Sequence, residues 1–304
     1  MTKPSESRWE MRASLLMEIV VLVLAVTGSS CSVFAEQAAF QDGRKVGQIR
    51  SPLITEASGL VVSRRNPGVL WVHNDSGDGP FVYAIDPMGD LLATYTVTGA
   101  QARDWEDIAL GPGPRSGVDY LYIGDTGDNA GRYPSITVYR VREPAVDPNE
   151  LGLEAKTDPA EAIRMVYPDG PRDAETLLVD PLTRDLYVIS KRDLFSRVYR
   201  AAYPQSTSQT VRLELVCLLP WGLATGGDVS PDGKKVAVRS MVWASLWYRD
   251  PDQALWQAFR GKAWSIPLAA ESQGEAIGFD SSGQGYYTVS EGKNSPITYF
   301  SPVR

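Results

Sequence analysis

An all-β fold, a five-bladed β-propeller closed by an N-terminal strand, is predicted by three features of the 304-residue sequence. Short runs rich in Val, Ile, Leu, Tyr and Trp recur along the chain and end at Gly, Pro, Asp or Asn, with few helical stretches between them. The runs fall into groups of four. The openings of these groups resemble one another and recur at roughly 45 to 70 residues, the length of a four-stranded blade. A six-bladed ring is the alternative count.

The groups can be read in order. "SGLVVS", "VLWVHND", "FVYAIDP" and "LLATYTV" form the first, and "DIALGP", "YLYIGD", "ITVYRV" and "AIRMVYP" the second. "TLLVDP", "DLYVIS", "RVYRAAYP" and "VRLELVCLL" form the third. The fourth holds "VSPDGKKVAVRS", "SLWYR" and "AWSIPL", with "DPDQALWQAF" as the one helical hint and Asp252 as its expected cap. The fifth has only three strands, through "ITYF", so "RKVGQIR" near the N-terminus is expected to supply its fourth and remove the free edges.

Acidic residues open the groups. Arg103-Asp104-Trp105-Glu106 and Arg172-Asp173-Ala174-Glu175 are near copies, and Glu56-Ala57-Ser58 aligns with them. Glu275 opens the fifth group, and Asp228 in "TGGDVSPDG" marks a looser copy. A second repeat, Asp75-Ser76-Gly77-Asp78 and Asp125-Thr126-Gly127-Asp128, ends the second strands of groups one and two. In a blade the start of the first strand and the end of the second lie on one face. Glu56, Asp104, Glu106, Asp107, Asp173, Glu175, Asp228 and Glu275 are therefore expected to ring one mouth of the channel, with Asp75, Asp78, Asp125 and Asp128 just outside it.

Carboxylates this dense repel unless cations sit among them. Arg103 and Arg172, with Lys191 and Arg239 at other second-strand ends, are one source of positive charge. A bound Ca²⁺ is the other, since it takes six to eight oxygen ligands. The expected ligand-binding residues are Asp104, Glu106, Asp173, Glu175, Arg103 and Arg172, and the expected metal ligands Asp75, Asp78, Asp107, Asp125, Asp128 and Asn129. The chain has no twelve-residue EF-hand loop. Turn chemistry alone also accounts for "DSGDG" and "GDTGDN", because Asp, Asn and Gly favour tight turns; it accounts less well for Glu106 and Glu175.

The chain has a single histidine, His73, which excludes multi-histidine zinc sites. Glu106, Glu175 and His73 are the candidate acid–base groups, and no Gly-x-Ser-x-Gly elbow, P-loop or dinucleotide fingerprint accompanies them. Trp71, Trp105 and Tyr122 can serve either sugar stacking or packing between blades.

The N-terminal 35 residues read as a signal peptide: Arg8 and Arg12 precede "ASLLMEIVVLVLAVTG", and "SVFA" offers a cleavage site before Glu36. An uncleaved membrane anchor is the alternative. Residues 36–304 are then one propeller domain, secreted or periplasmic, acting as a monomer. Removing the segment leaves only Cys217, so the exported domain must be stable without an internal disulfide. The net charge of −7 and the lack of a basic stripe argue against nucleic acid, leaving a small-molecule or metal ligand. Contact with a membrane is expected only through the N-terminal segment.

"DWEDIALGPGP", "YLYIGDTGDN", "YPDGPRDAETLLVDP" and "DLYVISK" resemble a set of exported bacterial β-propeller proteins, with the likeness covering most of residues 50–300. More distantly the blade openings look like those of SdiA-regulated, gluconolactonase-like and propeller-phytase proteins. That resemblance implies a site at the channel mouth, often with Ca²⁺. The chain matches no full lactonase or phytase ligand set, so neither activity is carried over. Two readings follow: a ligand-binding propeller with a calcium-holding mouth, or a metal-dependent hydrolase of a small phosphoester, lactone or glycoside.

Overall fold

A computed structural model describes residues 40–148 and 150–303; the expected signal peptide lies outside the described residues. The apolar runs become strands because their β-branched and aromatic side chains pack on both faces of each sheet, and Gly, Pro and Asp turns end them. In chain order the first is β1 (Arg44–Gln48). Blade one holds β2 (Ala57–Val62), β3 (Leu70–Asn74), β4 (Phe81–Ile85) and β5 (Leu91–Thr96). Blade two holds β6 (Trp105–Pro112), β7 (Asp119–Asp125), β8 (Ile136–Arg142) and, after the short β9 (Leu153–Lys156), β10 (Glu161–Val166). Blade three holds β11 (Ala174–Val179), β12 (Leu186–Ser190), β13 (Arg197–Ala201) and, after β14 (Val211–Arg212), β15 (Glu214–Leu218). Blade four is β16 (Gly226–Val229), β17 (Lys235–Arg239), β18 (Ala244–Tyr248) and β19 (Trp264–Ile266). Blade five is β20 (Gly274–Phe279), β21 (Tyr286–Ser290) and β22 (Pro296–Phe300), completed by β1.

The chain is a five-bladed β-propeller. Inner strands β2, β6, β11, β16 and β20 each pack on the next, and β20 returns to β2. Closure comes from β1, which runs antiparallel to β22 with Arg44 opposite Tyr299 and Gln48 opposite Pro296. Between the blades lie Trp71, Trp105 and Trp247, each fully buried. Trp71 donates to Glu143 Oε1 at 2.9 Å and Trp105 to the Gln101 carbonyl at 3.0 Å. Trp71, Trp105 and Tyr122 are thus packing groups with no open face for a sugar.

Two details differ from the sequence reading. The run from Val211 to Leu218 is not one strand: Val211–Arg212 pairs parallel with β10 of blade two, and Glu214–Leu218 is the outer strand of blade three. In the same way β9 pairs parallel with β5 of blade one. Each crossover thereby covers the edge of the preceding blade, which protects it from pairing with another chain. The second difference is the helix, a single turn, α1 (Leu255–Ala258), whose N-cap is Ala254 rather than Asp252. Gln257 reaches back to accept the Ala254 N–H at 2.9 Å, and Asp252 stays in the preceding turn.

Candidate functional site at the channel mouth

The acidic openings work through a repeated irregularity. The β2–β3, β6–β7, β11–β12 and β20–β21 ladders each skip one inner-strand residue near the start: Ser58, Glu106, Glu175 and Glu275. A bulge of this kind leaves one residue unpaired and re-aims its side chain. Blade four has no shift, and Thr225 precedes its inner strand. Three carboxylates and two hydroxyls therefore occupy equivalent ring positions.

Glu106 is the centre of the acidic cluster. It lies within ligand-sharing distance of Asp75 and Asp104 on one side and of Asp173 and Glu175 on the other, with the chosen oxygens of each trio within 4.8 Å of one another. Its side chain is buried, 3% of the residue being exposed, and among the described residues nothing donates to its carboxylate. Burial, then Glu175 and Asp75, push its pKa well above the ordinary carboxylate range. Asp104 is raised by burial and by Asp173, partly offset by Arg103. Asp75 is pushed up to about 6 by burial, with Asp104, Glu275 and Glu56 adding to it. Gly127 makes room for the cluster, because a Cβ there would collide with the Glu106 and Asp104 carboxylates.

One lysine crosses the channel. Lys191 ion-pairs with Glu175 of its own blade and lies 3.4 Å from Glu275 of blade five. Burial opposes its charge, yet the attraction of Glu175 and Glu275 is larger and raises its pKa. Glu175 is raised in turn, chiefly by burial, with Lys191 pulling the other way. Glu291, which sequence reasoning missed, shares a hydrogen bond with Glu275 and is pushed up to about 8 by burial and that neighbour. A register signal was available for it: Ser190-Lys191 and Ser290-Glu291 occupy the same place, one residue past the second strand of their blades.

The other expected ligands are placed differently. Asp107 is buried between blades, with Oδ1 accepting from the Ile108 N–H and Oδ2 from the Leu177 N–H, both at 2.9 Å. Asp228 repeats this bridge between blades four and five, accepting from Val229 and Phe279 N–H at 2.8 Å each. Asp125 accepts the Asp104 N–H at 2.9 Å, which fixes that opening. Asp128 accepts the Arg132 and Tyr133 N–H groups, and Asp78 accepts from Asn74, Tyr83 and Gly79. Asn129 accepts from Arg192, which also holds Asp173 at 2.5 Å. These six residues shape turns and seams. Glu56 sits exposed at the rim.

The arginines also serve structure. Arg103 lies over the Tyr133 ring, 4.0 Å from its centroid, and bonds the Asp125 carbonyl. Arg172 pairs with Asp169 at 3.0 Å and Asp193 at 3.2 Å. Arg239 is fully buried against Glu271 at 2.8 Å and the Ala276 carbonyl at 3.0 Å. His73 is fully buried beside Trp105, and its Nδ1 lies 2.8 Å from the Asn74 carbonyl. Burial lowers its pKa to about 4, so it is a neutral packing group near pH 7. Cys217 is pushed up to about 11 by burial and remains a thiol.

No family model matches the chain, and no curated protein sequence matches it. Among solved structures it is similar to the Pan2 WD40 domain of Neurospora crassa, at 9% identity and a TM-score of 0.44, covering 88% of this chain and 98% of that one. It is also similar to a Bacteroides uniformis protein provisionally assigned as a 6-phosphogluconolactonase, at 14% identity and a TM-score of 0.41, covering 83% and 69%. Both likenesses concern the fold alone.

Proposed function

We propose that this chain is an exported, monomeric ligand-binding propeller whose acidic mouth holds a divalent cation, Ca²⁺, among Asp75, Asp104, Glu106, Asp173 and Glu175. The observation that carries the reading is the bare Glu106 carboxylate, buried among four others with no donor of its own. A buried carboxylate without a partner costs several kcal/mol, on the order of a lost ion pair, unless it is protonated or a cation joins it. The donor set favours a hard cation, since every group is an oxygen and the single histidine and Cys217 lie elsewhere. Export rests on the N-terminal apolar run and the "SVFA" site; among the described residues no helix is long and apolar enough to cross a membrane.

Titration calorimetry with CaCl₂ on chelator-treated protein tests the reading. It expects one saturable site and a melting temperature that rises with calcium and falls with EDTA. A flat titration and an unchanged melting curve overturn it.

One feature favours hydrolysis as the second reading. Burial and its acidic neighbours raise the Glu106 pKa well above the ordinary carboxylate range, the direction that suits a general acid, while Asp75 and Asp104 stay half-exposed on its flank. A bound metal would polarise a phosphoester, lactone or glycoside there. Turnover of such substrates that disappears in Glu106→Gln separates this reading from binding alone.

A further inference from the structure

Apolar side chains gather beside the acidic mouth. The loop after β12 exposes Leu194 and Phe195, and the loop after β17 exposes Met241, Val242 and Trp243; Leu194 is 84% and Val242 74% exposed. The link between blades three and four joins them. Its Leu223, also exposed, donates its N–H to the Lys191 carbonyl at 2.9 Å, Trp221 accepts the Ser196 N–H at 2.9 Å, and the Trp221 and Trp243 rings meet edge-on at 5.9 Å. All three segments leave the ends of strands that finish at the mouth. Solvent-exposed turn tips carry polar residues at no structural cost, so apolar tips gathered from three adjoining segments mark a surface that is covered in use.

Charge identifies what covers it. The shelf is anchored to Lys191, and beyond that lysine stand Glu275 and Glu291 of blade five, close enough to share a hydrogen bond. Lys191 is the one cation on this pair among the described residues, and Glu175 shares it. The chain as a whole carries a net charge of −7. An anionic bilayer would be repelled here, whereas a cationic group next to apolar ones meets both halves of the surface.

We infer that the shelf and the Glu275–Glu291 pair form one docking surface for a peptide segment in which Lys or Arg adjoins aliphatic and aromatic residues. Its apolar side chains lie across Leu194, Leu223 and Val242, and its cation takes the place of the hydrogen shared between Glu275 and Glu291. This surface runs over the blade three to five side of the mouth, apart from the Asp75–Asp104–Glu106 group, and does not depend on the metal reading.

The test uses the whole exported domain and a fluorescein-labelled decapeptide of alternating Lys and Leu/Phe residues, followed by anisotropy. Leu194→Ser with Val242→Ser, both at exposed tips, is expected to weaken binding about tenfold with an unchanged melting curve. Glu291→Gln is expected to weaken it about fivefold and to flatten its salt dependence. A peptide with Glu replacing Lys is expected not to bind. Four results overturn the proposal: no binding of the Lys peptide, binding insensitive to both variants, dimerisation abolished by the tip variant, and sedimentation of the protein with phosphatidylcholine vesicles.

Discussion

Lys191 and Glu275 come from blades three and five, yet the ammonium lies 3.4 Å from the carboxylate across the channel while it also holds Glu175. Blade four is bridged over because its equivalent position is Thr225, which has no charge to offer. This lysine therefore divides the mouth: Glu175 and Glu275 are ion-paired by a cation the chain supplies, whereas Glu106 feels that ammonium only at longer range.

Lys191→Met removes that cation from a site where both carboxylates are buried. Breaking one side of a buried ion pair typically costs about 3–5 kcal/mol, and the lysine's residual exposure places the expected loss at the lower end. Urea denaturation in EDTA measures it. If the mouth takes calcium, millimolar CaCl₂ restores part of the loss and calorimetry finds additional binding at the vacated pair. An unchanged denaturation midpoint would remove Lys191 from its proposed role.

Glu106→Gln separates two effects that usually move together. The amide keeps the shape but not the charge, so crowding with Asp75, Asp104 and Glu175 is relieved. Melting of the metal-free protein is expected to rise by a few degrees, with a stability gain of about 1 kcal/mol. Calcium affinity is expected to fall by more than about tenfold, since a charged ligand is lost. A variant that melts lower and binds calcium equally well contradicts the cluster geometry.

How much of this was legible in the sequence follows from what each residue does. Glu106 and Glu175 of the Asp-x-Glu openings stood out because glutamate is not a turn former, and the bulges at these two positions account for them, with Glu275 at a third. Asp107 looked the same in sequence as Asp104. It sits one residue past the bulge, so the strand's two-residue alternation turns its carboxylate away from the channel and into the seam toward Leu177. Glu291 gave no motif because "VSEGKN" resembles any hairpin end, and only its register with Lys191 reveals it. Strands β9 and β14 were hidden because they pair with the preceding blade, a contact no local pattern encodes.

Gly127→Ala tests the spatial argument with one methyl group. The added Cβ collides with the carboxylates of Glu106 and Asp104, so the loop or the acids must shift. Overpacking of this kind costs about 1–3 kcal/mol. The far-ultraviolet spectrum should stay that of a β-propeller while calcium binding weakens. Unchanged binding would mean that the cluster tolerates more room than the structure leaves.

Asp228 provides a pH signature. Burial pushes its pKa up to about 7, against an ordinary value of 3.8, although the Phe279 and Val229 N–H groups pull it down. Between those values the folded chain binds more protons than the unfolded one, so this group's contribution falls as pH rises from about 4 to 7. Asp228→Asn removes that term. The wild type should lose stability relative to the variant across this window, by on the order of 2–4 kcal/mol at about 1.4 kcal/mol per unit with allowance for partial hydration. The slope is the readout, because the lost acceptor for one backbone N–H costs the variant the same at every pH. Parallel stability curves from pH 4 to 7 would show an ionised Asp228 throughout.

The Arg239–Glu271 pair tests what holds the last two blades together. Both side chains are fully buried, their atoms 2.8 Å apart, and Arg239 also bonds the Ala276 carbonyl while Thr288 donates to Glu271 at 2.6 Å. Removing either partner leaves an uncompensated charge in the seam. Arg239→Met and Glu271→Gln should each cost about 3–5 kcal/mol. The double variant removes both charges at once, so its cost should fall well below the sum of the two, with a coupling of about 1–3 kcal/mol. Additive losses in the double-mutant cycle would mean that the pair is held by its separate backbone and threonine bonds, and that the charge interaction contributes nothing to the blade four–blade five seam.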